Sequence, residues 1–245
     1  MRMPLPWIRA GEPLPDPAQA WRAPSGLLAA GADLSAPRLL EAYGHGIFPW
    51  YTDGQPVLWW SPDPRMVLYL DEFRLHRSLA KTMRRMKREG SWRITLNRAF
   101  GRVMQACAEP RAADPDGGSW ITSEMREAYL ELHRLGHAQS VEVWHRDGDR
   151  ERLAGGLYGV SIGRMFFGES MFARVPDASK VALAALVDTL RKHDFSVIDC
   201  QQNTRHLASL GAREISRERF LREVARLGRR AGPDWREIGI GFPEA

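Results

Sequence analysis

The sequence predicts an α/β (α+β) protein in which helices pack on the faces of one mixed sheet, behind a smaller N-terminal domain. Two observations support this prediction. From about residue 65 onward, hydrophobic residues repeat regularly, with the period of a strand in some segments and of a helix in others. Before that point, prolines and glycines interrupt the chain too often for long elements, and irregular loops are expected there. We therefore place the two domains at residues 1–64 and 65–245.

Periodicity and turn residues predict the elements in order. The small domain has one helical candidate, at residues 37–43. The larger domain has predicted strands at 66–70, 140–145, 153–161, 164–167 and 196–200, and predicted helices at 73–89, 97–107, 124–135, 179–192 and 216–227. Asn97 and Ser216 are typical helix caps, and Asp147-Gly148 is typical of a hairpin turn. This order suits an N-acetyltransferase-like fold.

Composition excludes several classes of protein. The 245 residues are 44% hydrophobic and 27% charged, which excludes disordered and collagen-like chains. No apolar run is long enough to cross a bilayer, and the Pro-rich start lacks a secretory core. Two cysteines are too few for a disulfide scaffold, so we expect a cytoplasmic protein. The net charge of +5 leaves a nucleic-acid partner open.

Familiar cofactor and metal motifs are missing from the sequence. It contains no phosphate-binding P-loop, no G-x-S-x-G elbow and no H-E-x-x-H pair, and its seven histidines are scattered. The nearest match to the pyrophosphate loop of acetyltransferases, residues 152–157, ends in leucine and lies inside a predicted strand. We therefore expect neither a metal nor a cofactor.

An ordered set of motifs resembles one family. The motifs are GLL (26–28), FPW (48–50), WWSPDPR (59–65), WIT (120–122), LGH (135–137), SVEVW (140–144), GGLYG (155–159), FGESMF (167–172), ASK (178–180), IDCQ (198–201) and HLASLGA (206–212). Together they resemble the bacterial leucyl/phenylalanyl-tRNA–protein transferases over roughly residues 20 to 220. An insert at 111–118, the pair Val175-Pro176 and the tail after residue 230 depart from the family pattern.

The resemblance implies a reaction and its partners. The expected donor is an aminoacyl-tRNA carrying Leu, Phe or Met, and the expected acceptor is the N-terminal α-amine of a protein that begins with Arg or Lys. In the family this transfer marks the acceptor for degradation. The resemblance also implies an acetyltransferase-like catalytic domain without metal or coenzyme A, no membrane partner, and a monomer.

Such a transfer depends more on the positioning of the amine against the ester than on a strong base. The ester is already activated, and an α-amine with a pKa of about 7.7–8.0 loses its proton near neutral pH at a cost of roughly 1 kcal/mol. Orientation can contribute about 7–11 kcal/mol. Asp199 and Gln201 are predicted to share one strand face. We expect Gln201 to accept the amine N–H, with Asp199 behind it orienting Gln201 and attracting the cationic acceptor. The alternative is that Asp199 caps a strand end.

Glu169 is the third candidate catalytic residue. It lies between Phe167 and Phe172, and a carboxylate buried among aromatic rings needs a partner. That partner could be the acceptor's basic side chain or its α-amine, or alternatively Arg174 or Lys180 in a structural salt bridge.

The remaining substrate-binding candidates would hold the aminoacyl group. Gly168 would allow a close approach of the substrate backbone. The apolar pocket wall is assigned to Trp120, Phe166, Met171 and Leu186, each of which could equally be ordinary core. Such a wall separates Leu, Phe and Met poorly, because a methylene is worth only about 1–3 kcal/mol.

Two features of the sequence are candidates for binding the tRNA. Trp50 is expected to stack on the unpaired 3′-terminal adenine, whereas Trp59 and Trp60 are expected in the core. A basic helix would bind acceptor-stem phosphates without reading sequence. Its cations are Lys81, Arg84, Arg85, Lys87 and Arg88, and the alternative is a solvated surface.

Three other functions compete with this interpretation. A peptidoglycan-type aminoacyltransferase uses the same donor, but usually in a larger chain with duplicated domains. A non-catalytic tRNA-binding protein would need the basic helix and not the candidate catalytic side chains. A plain acetyltransferase would need the pyrophosphate loop, whose nearest match fails.

Overall fold

The computed structural model describes residues 4–109 and 121–243. The strands in these ranges are β1 (Trp7–Ile8), β2 (Leu27–Gly31), β3 (Phe48–Pro49), β4 (Leu58–Trp60), β5 (Arg65–Tyr69), β6 (Trp92–Leu96), β7 (Ala138–Asp147), β8 (Arg150–Ile162), β9 (Met165–Ala173), β10 (Val197–Gln201) and β11 (Arg213–Ile215). The α-helices are α1 (Ala36–Gly44), α2 (Arg77–Glu89), α3 (Phe100–Ala108), α4 (Ser123–Arg134), α5 (Ala178–Lys192), α6 (Arg205–Ser209) and α7 (Arg217–Gly228). None of the helices in the described ranges has the length and apolar character needed to span a membrane.

The N-terminal part forms a small four-stranded sheet in the order β1-β2-β4-β3. Most of residues 4–64 outside α1 is irregular, as expected, but the short strands that pair between the glycines and prolines were not predicted. Gly26 shows why the sequence allows this. Its φ is +92°, and a Cβ at this position would lie 2.5 Å from the Cα of Pro62. Glycine therefore permits the tight approach of the segment that follows β4.

The large sheet has seven strands in the order β11-β5-β10-β9-β8-β7-β6. Strands β7 to β9 are antiparallel, as expected from the predicted hairpin and third strand. Strand β6, which was not predicted, pairs antiparallel with β7. Helix α5 then crosses over so that β10 runs parallel to β9. This arrangement confirms the predicted mixed sheet with flanking helices and a smaller N-terminal unit. The boundary near residue 64 stays a prediction.

Strands β9 and β10 pair only briefly. Two residue pairs align, Ile198 with Phe166 and Asp199 with Phe167, before the strands separate. Strand β9 continues to Ala173, while β10 ends at Gln201. The separation leaves an opening in the sheet immediately after the paired residues.

Several local predictions need correction. Strands β6 and β11 and the short helix α6 were not predicted, and α2 begins at Arg77 rather than residue 73. Asn97 does not cap α3. Its side chain instead accepts the Ser140 N–H at 2.9 Å, and the Glu142 carboxylate accepts N–H groups at the start of α3. Tertiary partners therefore replace the local cap that the sequence suggested.

Hydrophobic clusters cover both faces of the large sheet. One lies under α1, α3, α4 and α7 and includes the buried residues of the small sheet, so the two sheets share a core. The other lies under α2 and α5 and includes Trp235 from the C-terminal tail. The opening between β9 and β10 lies between these two clusters.

Candidate active site

A cavity of about 540 Å³ occupies the opening between β9 and β10. The small sheet, β8, α5 and the segment around α6 complete its walls. The sequence-predicted site residues that line it are Trp50, Phe166, Gly168, Glu169, Met171, Leu186, Asp199 and Gln201. Trp120 lies outside the described residues.

Glu169 is at the polar end of the cavity. Its carboxylate accepts hydrogen bonds from the hydroxyls of Tyr43 at 2.7 Å and Tyr129 at 3.1 Å. Burial raises the pKa of Glu169 to about 7, although the two tyrosine hydrogen bonds oppose the increase. The alternative salt bridges are wrong, because Arg174 pairs with Glu109 and Lys180 pairs with Asp177.

The tyrosine partners of Glu169 were not predicted from the sequence. Tyr43 lies on α1 and Tyr129 lies on α4, and both side chains are fully buried. Their hydroxyls also contact each other. A buried tyrosine hydroxyl generally has a hydrogen-bond partner. This rule does not identify Glu169, which lies 126 residues from Tyr43 in the sequence, as that partner.

Gln201 is held in an unusual backbone conformation. A bulge between Asp199 and Gln201 interrupts the pairing of β10 with β5, and Gln201 has φ +54°. Few non-glycine residues adopt this left-handed region, and such strain concentrates at functional sites. The bulge also means that strand alternation alone does not set the direction of the side chain.

The side chain of Gln201 links the polar groups of the cavity. Its amide nitrogen donates to Glu169 Oε1 at 3.2 Å, and its backbone N–H donates to Asp199 Oδ1 at 3.0 Å. Within residues 4–109 and 121–243, its amide oxygen accepts no hydrogen bond. This oxygen is therefore available to a donor that enters the cavity.

Asp199 is part of a fully buried ion pair. Arg65 Nε and Nη2 donate to the two carboxylate oxygens at 2.8 and 2.6 Å, and neither side chain is exposed. The guanidinium lies over the rings of Phe48 and Phe220 and donates to the carbonyl oxygen of Gly46. Asp199 therefore does not present a free negative charge to a cationic acceptor, contrary to the sequence-based expectation.

Arg65 is a site component that the sequence analysis missed. It opens the buried strand β5, and a buried arginine requires a carboxylate partner. This requirement indicates that a buried arginine has an acidic partner, but it does not indicate which acidic residue of the chain that partner is.

The opposite end of the cavity is apolar. Phe166 and Leu186 line it and are almost completely buried. Other apolar lining residues, which the sequence did not distinguish from core, are Leu157, Leu183, Ile198 and Leu207. A Cβ on Gly168 would meet only the Asp199 carbonyl oxygen at 3.4 Å and Ile198 Cγ2 at 3.5 Å. Gly168 therefore leaves space beside the cavity rather than filling it.

Trp50 differs from the two tryptophans that follow it. Trp59 and Trp60 are buried, as the core interpretation expects, while 38% of Trp50 is exposed at the cavity. The Trp60 indole N–H donates to the Trp50 carbonyl oxygen at 2.7 Å, and the two rings meet edge to face. Trp60 therefore fixes the position of Trp50 from one side.

The basic helix α2 lies outside the cavity lining. Its five candidate cations are exposed, and Arg85 is paired with Glu89 at 3.7 Å. On its other side, Thr82 donates to Asp177 at 3.4 Å, and Lys180 pairs with the same carboxylate. Burial and then the nearby Lys180 ammonium lower the pKa of His206, which lines the cavity. The start of α5 therefore contacts the basic helix through Asp177, and Lys180 on α5 lies near the cavity residue His206.

The segment nearest in sequence to a pyrophosphate loop is part of a strand. Residues 152–157 lie within β8, as expected, and Ala178 of α5 occupies the space beside Gly155. No group of three or more His, Cys, Asp or Glu side chains in residues 4–109 and 121–243 is placed to hold a metal ion.

Comparison with protein families gives two matches. Residues 67–225 match the model described as leucyl/phenylalanyl-tRNA protein transferase. Residues 32–63 match the N-terminal domain of the same family.

Curated relatives with this name align over nearly the whole chain. The relative from Janthinobacterium sp. (strain Marseille) is 50% identical over 98% of this chain and 99% of its own. Those from Paraburkholderia phytofirmans and Bordetella avium are 57% and 53% identical, over 90% and 97% of this chain and 89% and 94% of theirs. Among solved structures, L-PGS from Bacillus licheniformis superposes with a TM-score of 0.39 and 10% identity, over 71% of this chain and 55% of that one.

Proposed function

Because this chain belongs to the leucyl/phenylalanyl-tRNA–protein transferase family, we propose that it moves Leu, Phe or Met from aminoacyl-tRNA to proteins that begin with Arg or Lys. The chain is an aminoacyltransferase whose substrates are an aminoacyl-tRNA and a protein. The bond formed joins the aminoacyl carbonyl to the N-terminal α-amine. The product is marked for degradation, and the reaction takes place in the cytoplasm.

The apolar end of the cavity receives the aminoacyl side chain. Phe166, Met171 and Leu186 supply its wall, and a volume of about 540 Å³ suits a small organic group. No polar side chain is needed to read Leu, Phe or Met. The pocket consequently distinguishes them only by fit, at about 1–3 kcal/mol for each methylene-sized difference.

The tRNA is held outside this pocket. Trp50 stacks on the 3′-terminal adenine with the ring face that Trp60 leaves open. The exposed cations of α2 bind acceptor-stem phosphates, which gives affinity without reading sequence. Such binding suits an enzyme that accepts different tRNAs and reads only the esterified residue.

Gln201 holds the acceptor amine at the polar end. Its amide oxygen accepts the amine N–H, while its amide nitrogen stays on Glu169. The Asp199–Arg65 pair fixes the backbone of Gln201 from behind. Holding the amine against the ester lowers the barrier mainly through orientation, which can contribute about 7–11 kcal/mol.

One observation favours the proposed function over the non-catalytic alternative. A single cavity combines an apolar end with a polar end that contains Gln201 and Glu169. A protein that only bound tRNA would not need the polar end of the cavity. The basic helix by itself would serve that role.

The test is direct transfer in purified components. The protein is mixed with charged Leu-tRNA or Phe-tRNA and a peptide that begins with Arg, and the peptide is weighed by mass spectrometry. We expect a gain of one Leu or Phe residue. The same peptide with an acetylated N-terminus is the matched control and should gain nothing. Absence of product with intact tRNA binding would favour the non-catalytic alternative.

A further inference from the structure

Glu169, Tyr43 and Tyr129 form a closed triangle of oxygen contacts. Tyr43 contacts Glu169 Oε1, Tyr129 contacts Glu169 Oε2, and the two hydroxyls contact each other. Three contacts require three protons if each is to be a hydrogen bond. The two hydroxyls supply one proton each. When Glu169 is ionised, one contact is therefore left without a proton.

A proton on Glu169 completes this triangle. The acid then donates to one tyrosine, that tyrosine donates to the other, and the second donates to the remaining carboxyl oxygen. The Gln201 amide N–H on Oε1 is compatible with either state. In the ionised form both tyrosine hydroxyls donate to the carboxylate and stabilise its charge. In the protonated form the contact between Tyr43 and Tyr129 also gains a proton, so the ring accommodates Glu169 in either state.

Within residues 4–109 and 121–243, Glu169 forms no salt bridge, so its charge has no close counter-ion there. Asp199 on β10 raises the pKa of Glu169 and Arg65 on β5 lowers it, and these two are already paired with each other. Tyr43, Tyr129 and Tyr158 face it from α1, α4 and β8, and each has a raised pKa because of burial. The three tyrosines therefore stay neutral.

We propose that Glu169 takes the proton from the bound α-ammonium group of the acceptor and holds it in the ring formed with Tyr43 and Tyr129. This inference rests on the proposed function. It assigns Glu169 to the α-amine rather than to the basic side chain of the acceptor. Gln201 supports the assignment, because the amide that orients the amine also donates to Glu169.

The protons and electrons of this step balance. The ammonium gives one proton to the carboxylate, and the freed nitrogen lone pair forms the C–N bond. The C–O bond to the ribose breaks, and its electron pair leaves on the ribose oxygen. That oxygen takes the second proton that the nitrogen releases. The carboxyl group returns its proton to water after the product leaves.

The experiment compares the wild type with Glu169→Gln across pH 6 to 9. The amide of Gln supplies the third proton of the ring permanently but cannot accept another one. For the wild type, kcat/KM for the peptide should rise with pH through about 7, where Glu169 becomes ionised. For the variant, the rise should move to about 8, where the amine itself loses its proton. The loss should be on the order of tenfold at pH 7 and vanish near pH 9.

The matched control is Glu109→Gln, which removes a carboxylate from an exposed pair with Arg174. Its pH profile should equal that of the wild type. A loss in Glu169→Gln that is equal at every pH would overturn the proposal and assign Glu169 to binding the acceptor's side chain. A variant that matches the wild type at every pH would also overturn it. Absence of transfer by the wild type would instead reject the proposed function.

A second measurement does not depend on activity. A pKa of about 7 in the folded chain lies above the unfolded value of about 4.3. The stability that Glu169 contributes is therefore full below about pH 4 and is lost as pH rises through 7. The free energy of unfolding of the wild type, relative to Glu169→Gln, should fall between pH 5 and 8. A difference that is constant over this range would contradict the proposal.

Discussion

Among single residues, Asp199 and Gln201 have different kinds of importance. Asp199 is half of a bidentate ion pair with no exposed surface, and it also accepts the Gln201 backbone N–H. Gln201 occupies a strained backbone position and faces the cavity. We therefore expect replacement of Asp199 to change stability and replacement of Gln201 to change the chemistry in the cavity.

Asp199→Asn should destabilise the whole chain. Removal of one partner leaves the Arg65 charge buried and uncompensated, which typically costs about 3–5 kcal/mol. Chemical denaturation measures this loss. Asp188→Asn, which breaks an exposed pair with Lys192, is the control and should change stability by no more than about 0.5 kcal/mol. Equal effects of the two variants would show that the buried pair is not structural.

Gln201→Ala should keep tRNA affinity and lose turnover. One hydrogen bond that orients the amine is worth about 1–3 kcal/mol, so the transfer rate should fall roughly tenfold to hundredfold. Single-turnover transfer and filter binding of the tRNA measure the two quantities. Gln105→Ala, on the exposed side of α3, should leave both unchanged. A Gln201→Ala variant that transfers normally would remove this side chain from the mechanism.

At the scale of elements, α2 and α5 cover the same face of the large sheet but differ in how they relate to the cavity. Helix α2 buries Leu79, Met83 and Met86 and exposes its cations. Helix α5 places Leu183 and Leu186 at the cavity wall. In the proposed function, α2 therefore acts through surface charge, and α5 acts through the position of its buried face.

The double variant Arg84→Gln/Arg88→Gln should weaken tRNA binding most at low salt. Each phosphate contact that is lost reduces the slope of log affinity against log salt by about 0.7–0.9, so two contacts reduce it by about 1.5. The control is Arg222→Gln/Arg226→Gln on α7, where the same net charge is removed from pairs with Glu218 and Glu223. If both double variants give the same slope, α2 is a solvated surface.

Gly155→Ala should displace α5. Its Cβ would lie 2.6 Å from the Cβ of Ala178, which begins this helix. We expect a destabilisation of about 1–3 kcal/mol from overpacking and a higher KM for aminoacyl-tRNA. The control is Gly101→Ala within α3, where the nearest contact is 3.6 Å, and there stability should stay equal or rise by about 0.5–1 kcal/mol. Thermal denaturation and steady-state kinetics provide the comparison.

For the whole molecule, the C-terminal tail lies beyond the residues that match the family model and completes the core under α2 and α5. The match ends at residue 225, yet Trp235 packs against Phe166 and Phe195 with ring centroids about 6 Å apart. Phe166 is also a wall of the cavity. The tail therefore supports the cavity wall through the contact between Trp235 and Phe166.

Trp235→Ala should lower stability and change selectivity together. Truncating a buried tryptophan typically costs about 3–5 kcal/mol. Because Phe166 loses its support, the ratio of Leu to Phe transfer should also shift, measured as relative kcat/KM for the two charged tRNAs. Trp7→Ala is the control, since Trp7 is 65% exposed, and it should alter neither quantity. An unchanged ratio would limit the tail to a stabilising role.

Much of the fold could be predicted from local patterns. The hairpin at Asp147-Gly148, the helix before Lys192 and the cap at Ser216 all follow from neighbouring residues. The paired strands of the N-terminal part and the edge strand β6 could not be predicted in this way. They are short or half-buried, and pairing with distant strands stabilises them rather than their own periodicity.

The sequence by itself determined the mixed α/β class and, through its ordered motifs, the aminoacyl transfer chemistry. It also supplied Glu169, Gln201 and Asp199 as candidates. Only the tertiary structure decided what these side chains contact. Tyr43 lies 126 residues from Glu169, and Arg65 lies 134 residues from Asp199. Periodicity records which face of an element is buried, but a buried polar group selects its partner through the packing of the whole chain.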